Sequence, residues 1–62
     1  MFVIVDVNTK EWFTMHGFKP HFTNNKTIRW EQPDQGYADL THYQLITEYF
    51  PERELEVQYV HD

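Results

Sequence analysis

The sequence predicts an α+β fold: a small antiparallel sheet of three to four strands with one short helix packed on one face, in the order β-β-β-α-β. Three segments carry this prediction. Residues 2–7 are an almost continuous apolar and β-branched run, which is typical of a strand. Residues 42–50 lie between a helix-starting motif and a proline, and residues 54–60 alternate apolar and polar side chains as a half-buried strand does. A chain of 62 residues can build one small core, so we expect a single domain spanning residues 1–62.

The first strand is predicted to open a hairpin. The polar residues 8–10 have the composition of a turn, and residues 11–15 form the returning strand. Within residues 2–7, Phe2 and Ile4 point to one face of the sheet, whereas the valines point to the other. Both faces of this strand are apolar, and one helix covers only one face. We therefore expect the Phe2/Ile4 side to be covered by a loop, a second copy or another protein.

A second hairpin is predicted at Asn24 and Asn25, because asparagine tolerates the left-handed backbone angles of a tight turn. Residues 21–23 lead into this turn, and residues 26–30 leave it as a strand. Residues 16–20 contain a glycine and a proline, so we expect them to interrupt regular pairing.

The helix is predicted to begin at Thr41, which forms a capping box with Gln44 three residues later. Residues 31–36, with a proline and a glycine, are expected to be the loop before it. Pro51 ends the helix because the residue before a proline avoids the helical conformation. The predicted helix therefore covers residues 42–50, and it is so short that it must dock on the sheet to be stable.

The net charge of −5 is unevenly distributed, with +2 in residues 1–30 and −7 in residues 31–62. The acidic half argues against direct binding of nucleic acid or of anionic membranes, because phosphate contacts need clustered Lys and Arg. It is compatible with a partner protein that has a basic surface, and also with a role in solubility alone. Glu54 and Glu56, extended by Glu52, would form a row of carboxylates about 6.6–6.8 Å apart, so mimicry of a nucleic-acid backbone is a further alternative.

The composition offers few parts of an active site. There is no serine, no cysteine and only two glycines, which leaves no serine or cysteine nucleophile and no phosphate-cradling loop. The four histidines, His16, His21, His42 and His61, lack the spacing of metal ligands. We expect no enzymatic activity, no cofactor and no metal. Since no leader peptide or membrane-spanning run is visible, we expect a cytoplasmic protein.

Aromatic residues are abundant: two tryptophans, four tyrosines and five phenylalanines. Periodicity places Trp30, Tyr49, Phe50 and Tyr59 in the core. One helix cannot cover all the others, and aromatic side chains are frequent among interface hot spots, so some should face a partner. Less easily placed in the core are Phe2, Phe13, Phe18, Phe22, Tyr37 and Tyr43. Together with the acidic residues, the candidate partner-binding residues are Phe2, Ile4, Phe13, Tyr37, Tyr43, Glu48, Glu52, Glu54 and Glu56.

In layout, the chain resembles small phage-encoded accessory proteins. It opens with an apolar strand at residues 2–5, turns at residues 8–10, and closes with the alternating strand at residues 55–60 after one short helix. The resemblance covers the whole chain but rests on no diagnostic motif, so it assigns no functional residue. It implies a small acidic, non-enzymatic protein of a kind that can bind and inhibit a host enzyme or defence complex.

The leading hypothesis is therefore a non-enzymatic protein-binding module, an inhibitor or modulator of phage type that acts by occlusion in the host cytoplasm. The alternative is a homodimeric structural or assembly protein that buries the Phe2/Ile4 face against its own copy.

Overall fold

A computed structural model describes residues 1–61 and confirms the α+β architecture. Four strands form one antiparallel sheet in the order β3-β2-β1-β4, and one helix lies between β3 and β4 in the chain. None of the helical structure in residues 1–61 has the length and apolar content needed to cross a membrane. The elements are β1 (Phe2–Asp6), β2 (Trp12–His16), β3 (Lys19–Thr23), α1 (Gln35–Gln44), a π-helical segment that continues α1 (Leu45–Tyr49), and β4 (Leu55–Tyr59).

The helix covers the face of the sheet that carries Ile4. Ile4 is paired with Val57 across β1 and β4, and antiparallel partners share a face. The buried core on this side consists of Ile4, Phe13, Leu45 and Leu55. The prediction that the Phe2/Ile4 side needs a loop, a second copy or another protein to cover it is therefore wrong for Ile4, which is 0% exposed beneath the chain's own helix.

The core aromatics were predicted in part. Trp30 and Phe50 are half-buried and pack against the core, as the periodicity indicated. Tyr49 and Tyr59 are more than half exposed, so their assignment to the core is wrong. Tyr59 instead meets Phe2 edge to face at 5.0 Å between ring centroids, at the end of the β1–β4 ladder.

The opposite face is covered by a loop. Val3 and Val5 are buried there, and Val5 is paired with Trp12. The guanidinium of Arg29 lies 4.9 Å from the centre of the Trp12 ring, and its Nε donates to Glu31 Oε2 at 3.0 Å. A buried arginine that stacks on an aromatic ring and pairs with a carboxylate is thus part of the packing on this face.

Residues 30–32 join β1 to β2 instead of forming a hairpin strand. The Trp30 N–H donates to the Phe13 carbonyl at 2.9 Å, and Gln32 exchanges two backbone hydrogen bonds with Phe2 at 2.7 and 2.9 Å. The predicted strand at residues 26–30 is therefore wrong: this segment has no strand pairing of its own. The β1–β4 pair of strands and the β2–β3 pair are thus connected partly through this loop.

The third strand lies earlier in the sequence than predicted. Residues 19–23 pair with β2, and a two-residue turn of Gly17 and Phe18 connects them. Gly17 has φ +65, the positive angle that a type II′ turn requires at its first central position. Asn24 and Asn25 do not form a hairpin; the Asn25 side chain accepts the Thr27 N–H at 3.0 Å within an irregular loop.

The helix begins seven residues before its predicted start. Asp34 is the N-cap, and its Oδ1 accepts the Gly36 N–H at 2.9 Å. Thr41 lies inside the helix, where its hydroxyl donates to the Tyr37 carbonyl at 2.9 Å, so the predicted capping box is wrong. The helical structure ends just before Pro51, close to the predicted end. The Phe50 N–H donates to the Leu45 carbonyl five residues back at 2.7 Å, which closes the π-helical segment.

Candidate protein-binding surface

Two of the candidate contact residues are inside the protein. Ile4 is 0% and Phe13 is 2% exposed, so neither side chain can touch a partner in this conformation, and both assignments are corrected. Their apolar surface is used by the core beneath the helix, because the sheet face that carries them is the one that the helix covers. Phe2 is half-buried against Tyr59.

Tyr37 and Tyr43 lie on the outer side of α1. Their side chains are 56% and 62% exposed, and Leu40 between them is also more than half exposed. Residues three apart on a helix are neighbours, so these three side chains form one apolar stripe. The stripe is available to a partner, although each residue alone is an ordinary exposed side chain.

The acidic candidates are exposed, and those of the β4 segment lie away from these helix aromatics. Glu56 is paired with Val5, which places it on the face of the sheet opposite the helix, and Glu54 lies immediately before β4. Glu48 lies in the π-helical segment and Glu52 in the turn after it. The structure therefore does not bring the acidic strand and the exposed helix aromatics onto one continuous surface.

The most exposed aromatic side chain is Phe18, one of the surplus aromatics that is absent from the candidate contact residues. It is the second residue of the β2–β3 turn and is fully exposed. A two-residue loop that starts with glycine between two alternating segments is a recognisable hairpin signal. That signal in Gly17 and Phe18 could have placed this ring at the tip of a hairpin.

Phe18 forms one wall of a cleft between the β2–β3 hairpin and the helix, which we call the hairpin–helix cleft. Buried Phe13 and Leu45 form its floor. Its volume is about 140 Å³, well below the roughly 300–1,000 Å³ of small-molecule sites. Such a volume suits a single side chain. The walls are Met15, Phe18 and Pro20 from the hairpin and Thr41, Gln44 and Tyr49 from the helix.

The π-helical segment shapes the helix side of this cleft. Leu45 and Tyr49 are its first and last residues, and both line the cleft. The Thr47 hydroxyl donates to the Tyr43 carbonyl at 2.7 Å. This bond gives the carbonyl a partner where the backbone hydrogen bonds change from the α-helical to the π-helical pattern. Single π-turns are frequent at functional sites. All the lining residues are uncharged, so the cleft can take an apolar group.

A second depression lies on the other face of the hairpin and has a volume of about 410 Å³. His16 and His21 face each other there, with 5.4 Å between their ring centroids. Among residues 1–61, no group of three or more His, Cys, Asp or Glu side chains could hold a metal ion. This depression therefore offers two imidazoles and two threonine side chains, Thr14 and Thr23, as polar groups.

The arrangement of the described residues is suited to contact with an apolar surface. The hairpin–helix cleft has no charged lining residue, and Phe18 projects beside it. No protein-family model, no curated protein and no solved structure matches the chain.

Proposed function

We propose that this chain is a small non-enzymatic protein-binding module that uses Phe18 and the hairpin–helix cleft as its contact surface. The observation that carries the proposal is the complete exposure of Phe18 at the tip of a tight turn. Burying one Phe side chain contributes roughly 1.5–3 kcal/mol. An inserted Phe18 would therefore be a strong anchor for binding.

The contact surface combines a projecting side chain, Phe18, with a cavity, the hairpin–helix cleft beside it. Phe18 projects as a knob, while the cleft over Phe13 and Leu45 is a hole for an apolar side chain of the partner. Paired anchors and pockets of this kind concentrate binding energy at the centre of protein interfaces. The hairpin itself is held by five paired positions, so Phe18 is presented on a regular element.

The mode of action that we propose is occlusion of a site on another protein. It follows the resemblance to phage-encoded inhibitors, and it needs a rigid surface but no catalytic group. On the same resemblance, we propose that the partner is a host protein or defence complex in the cytoplasm. The homodimer alternative loses its original basis, because Ile4 is covered by the helix of the same chain.

The test is partner capture with matched variants. The tagged protein and its Phe18→Ala and Tyr43→Ala variants are used to capture proteins from a bacterial lysate at two salt concentrations, with quantification by mass spectrometry. We expect a partner whose recovery falls at least about tenfold with Phe18→Ala and is unchanged with Tyr43→Ala, which removes another exposed aromatic side chain from the outer side of α1.

Thermal unfolding of each variant checks that the fold is intact, since both side chains are exposed. Equal recovery of the same proteins by the wild type and by Phe18→Ala would contradict the proposal. Loss of recovery with Tyr43→Ala alone would move the contact surface to the helix stripe.

A further inference from the structure

The outer edge of β4 is unpaired. The strand order β3-β2-β1-β4 puts β4 at the end of the sheet, and in residues 1–61 no other strand pairs with its outer side. An edge strand presents backbone N–H and C=O groups that can pair with another extended chain. This edge lies across the sheet from the β2–β3 hairpin, so a chain bound along β4 makes no use of the hairpin–helix cleft.

The hydrogen bonds of β1 show which groups point outward. The Val60 N–H donates to the Met1 carbonyl at 2.8 Å, and the Val7 N–H donates to the Glu54 carbonyl at 3.0 Å. In and around β4, the backbone groups of the even-numbered residues therefore point toward β1. The backbone groups of Leu55, Val57 and Tyr59 therefore point away from the sheet. The His42 Nε2, 2.9 Å from the Leu55 carbonyl, confirms that direction. Val57 and Tyr59 are left as the open part of the edge.

The other edge of the sheet is protected by a proline, and β4 has no proline. Pro20 occupies an outward-facing position of β3, where it removes a donor, and the exposed Lys19 adds a charge. Residues 55–59 contain no proline and no lysine. The β3 edge therefore lacks a donor that any added strand needs, whereas β4 keeps its outward donors and carries only the exposed Glu56 as an edge charge.

The side chains of β4 define what an added strand must look like. Leu55, Val57 and Tyr59 share the helix side, and Tyr59 is more than half exposed. Glu56 lies on the other side and is exposed, and Glu54 precedes the strand. There is no Lys or Arg in residues 54–60. A complementary strand has apolar residues on one side and basic residues on the other.

We propose that the β4 edge binds an extended segment of a partner protein with alternating basic and apolar residues, which adds to the sheet as an antiparallel fifth strand. Its apolar residues lie opposite Val57 and Tyr59 and exchange backbone hydrogen bonds with them. Its basic residues lie beside Glu54 and Glu56. Main-chain hydrogen bonds give affinity, and the charge pattern gives selectivity.

A second copy of this chain is a poorer occupant of the same edge. Antiparallel self-pairing centred on Val57 would set Glu56 diagonally across from its own copy, and each chain brings a net charge of −5. Like charges at such positions destabilise a pair of strands. The same carboxylates attract the basic side chains of a strand with alternating basic and apolar residues.

The experiment uses the full chain and three synthetic peptides, followed by NMR. The first is the capped peptide Thr-Val-Lys-Val-Lys-Val-Thr. The second has N-methyl groups on the valine amides, and the third has them on the lysine amides. In the antiparallel arrangement the valine amides face β4 and the lysine amides face outward. The two methylated peptides have closely matched composition and equal charge, so they separate strand pairing from electrostatic attraction.

We expect saturable shift changes of residues 54–60 with the first and third peptides and none with the second. At a peptide concentration about ten times Kd, hydrogen exchange of the Val57 and Tyr59 amides slows by about tenfold. Glu56→Lys weakens binding about tenfold, whereas Glu48→Lys, the same charge change in the π-helical segment, and Phe18→Ala leave it unchanged.

Equal binding of all three peptides, or shifts centred on the hairpin–helix cleft, would overturn the proposal. Protection of the Val57 and Tyr59 amides from hydrogen exchange in the free protein would also overturn it if the protection rises with protein concentration, because that result assigns the edge to a second copy.

Discussion

Arg53 donates from Nη1 to Asp6 Oδ2 at 2.8 Å, across 47 positions of sequence. The Asp6 carboxylate is buried at the end of β1, and its other oxygen accepts the N–H groups of Asn8 at 2.9 Å and Thr9 at 3.2 Å. The Arg53 guanidinium also lies over the Phe22 ring at 4.0 Å. One ion pair thus joins the first turn, the segment before β4 and the β3 side of the core.

Replacing Arg53 with Ala should destabilise the protein. The variant leaves a buried carboxylate without its charged partner, and we expect a loss of about 1–3 kcal/mol in the free energy of unfolding. Urea unfolding followed by circular dichroism measures it. Lys19→Ala, which removes an exposed cation from β3, is the control and should change stability by less than about 0.5 kcal/mol. Equal effects of the two changes would show that the Asp6–Arg53 pair contributes little.

The stability should depend on pH through Asp6. Burial raises the pKa of this carboxyl, but the hydrogen bonds from Arg53, Asn8 and Thr9 and the Arg53 charge outweigh it, so the pKa lies below the ordinary value of 3.8. A depressed folded-state pKa means that the ionised group stabilises the fold above the unfolded-state pKa, and this contribution is lost as pH falls through the folded-state pKa.

The Asp6→Asn variant isolates that contribution. We expect the difference in unfolding free energy between wild type and Asp6→Asn to be constant above about pH 5 and to shrink as the pH falls below about 4. Urea unfolding at intervals between about pH 2 and about pH 6 measures the difference. A difference that stays the same across this range would show that the Asp6 pKa is not shifted by folding.

Asp34 and Thr41 are the two candidate N-caps of the helix, and alanine substitutions distinguish them. Asp34→Ala should cost about 0.5–2 kcal/mol, because it removes the side chain that accepts the Gly36 N–H. Thr41→Ala should be within about 0.5 kcal/mol of the wild type, since Thr41 lies inside the helix and alanine has the higher helix propensity. The same unfolding measurement checks both, and the reverse order of effects would support a helix that starts at Thr41.

The turn before Phe18 depends on the glycine. Gly17→Ala should destabilise the protein by about 1–2 kcal/mol, since φ +65 is strained for an L-residue although the space around the position is open. Chemical synthesis with D-alanine at position 17 is the matched control, because it adds the same methyl group with the opposite preference for φ. We expect the D-alanine protein to be at least as stable as the wild type in thermal unfolding.

Much of the fold could be predicted because its signals are local. The alternation at residues 54–60 indicates β4, and Pro51 indicates the end of the helix. The start of the helix could not be decided in this way, because Thr41 with Gln44 fits a capping box as well as any real cap does. Asp34 is difficult to identify as the N-cap from the sequence, because Gly36 lies in the first helical turn and glycine normally indicates a loop.

The contact surface is harder to predict than the fold. Both faces of residues 2–6 are apolar, so alternation cannot say which face the helix covers, and Ile4 and Phe13 are buried in the core although both are candidate partner-binding residues. Phe18 is missed for another reason: the glycine and proline of residues 16–20 also indicate an interruption of the sheet, and that interpretation competes with the hairpin signal of Gly17 and Phe18. The exposure of a side chain depends on which distant element packs over it, and that information is not local.

The pairing of β1 with β4 has a consequence for how the protein folds. β1 is paired along its length with β4 but at only one position with β2, and the ladder ends with a bond from the Met1 amino group to the Val60 carbonyl, 59 positions apart. The β2–β3 hairpin can form early because its ends are close in sequence, whereas β1 must wait for a loop of about fifty residues to close. Neither half of the chain can therefore complete the sheet alone, and we expect folding and unfolding in a single cooperative step.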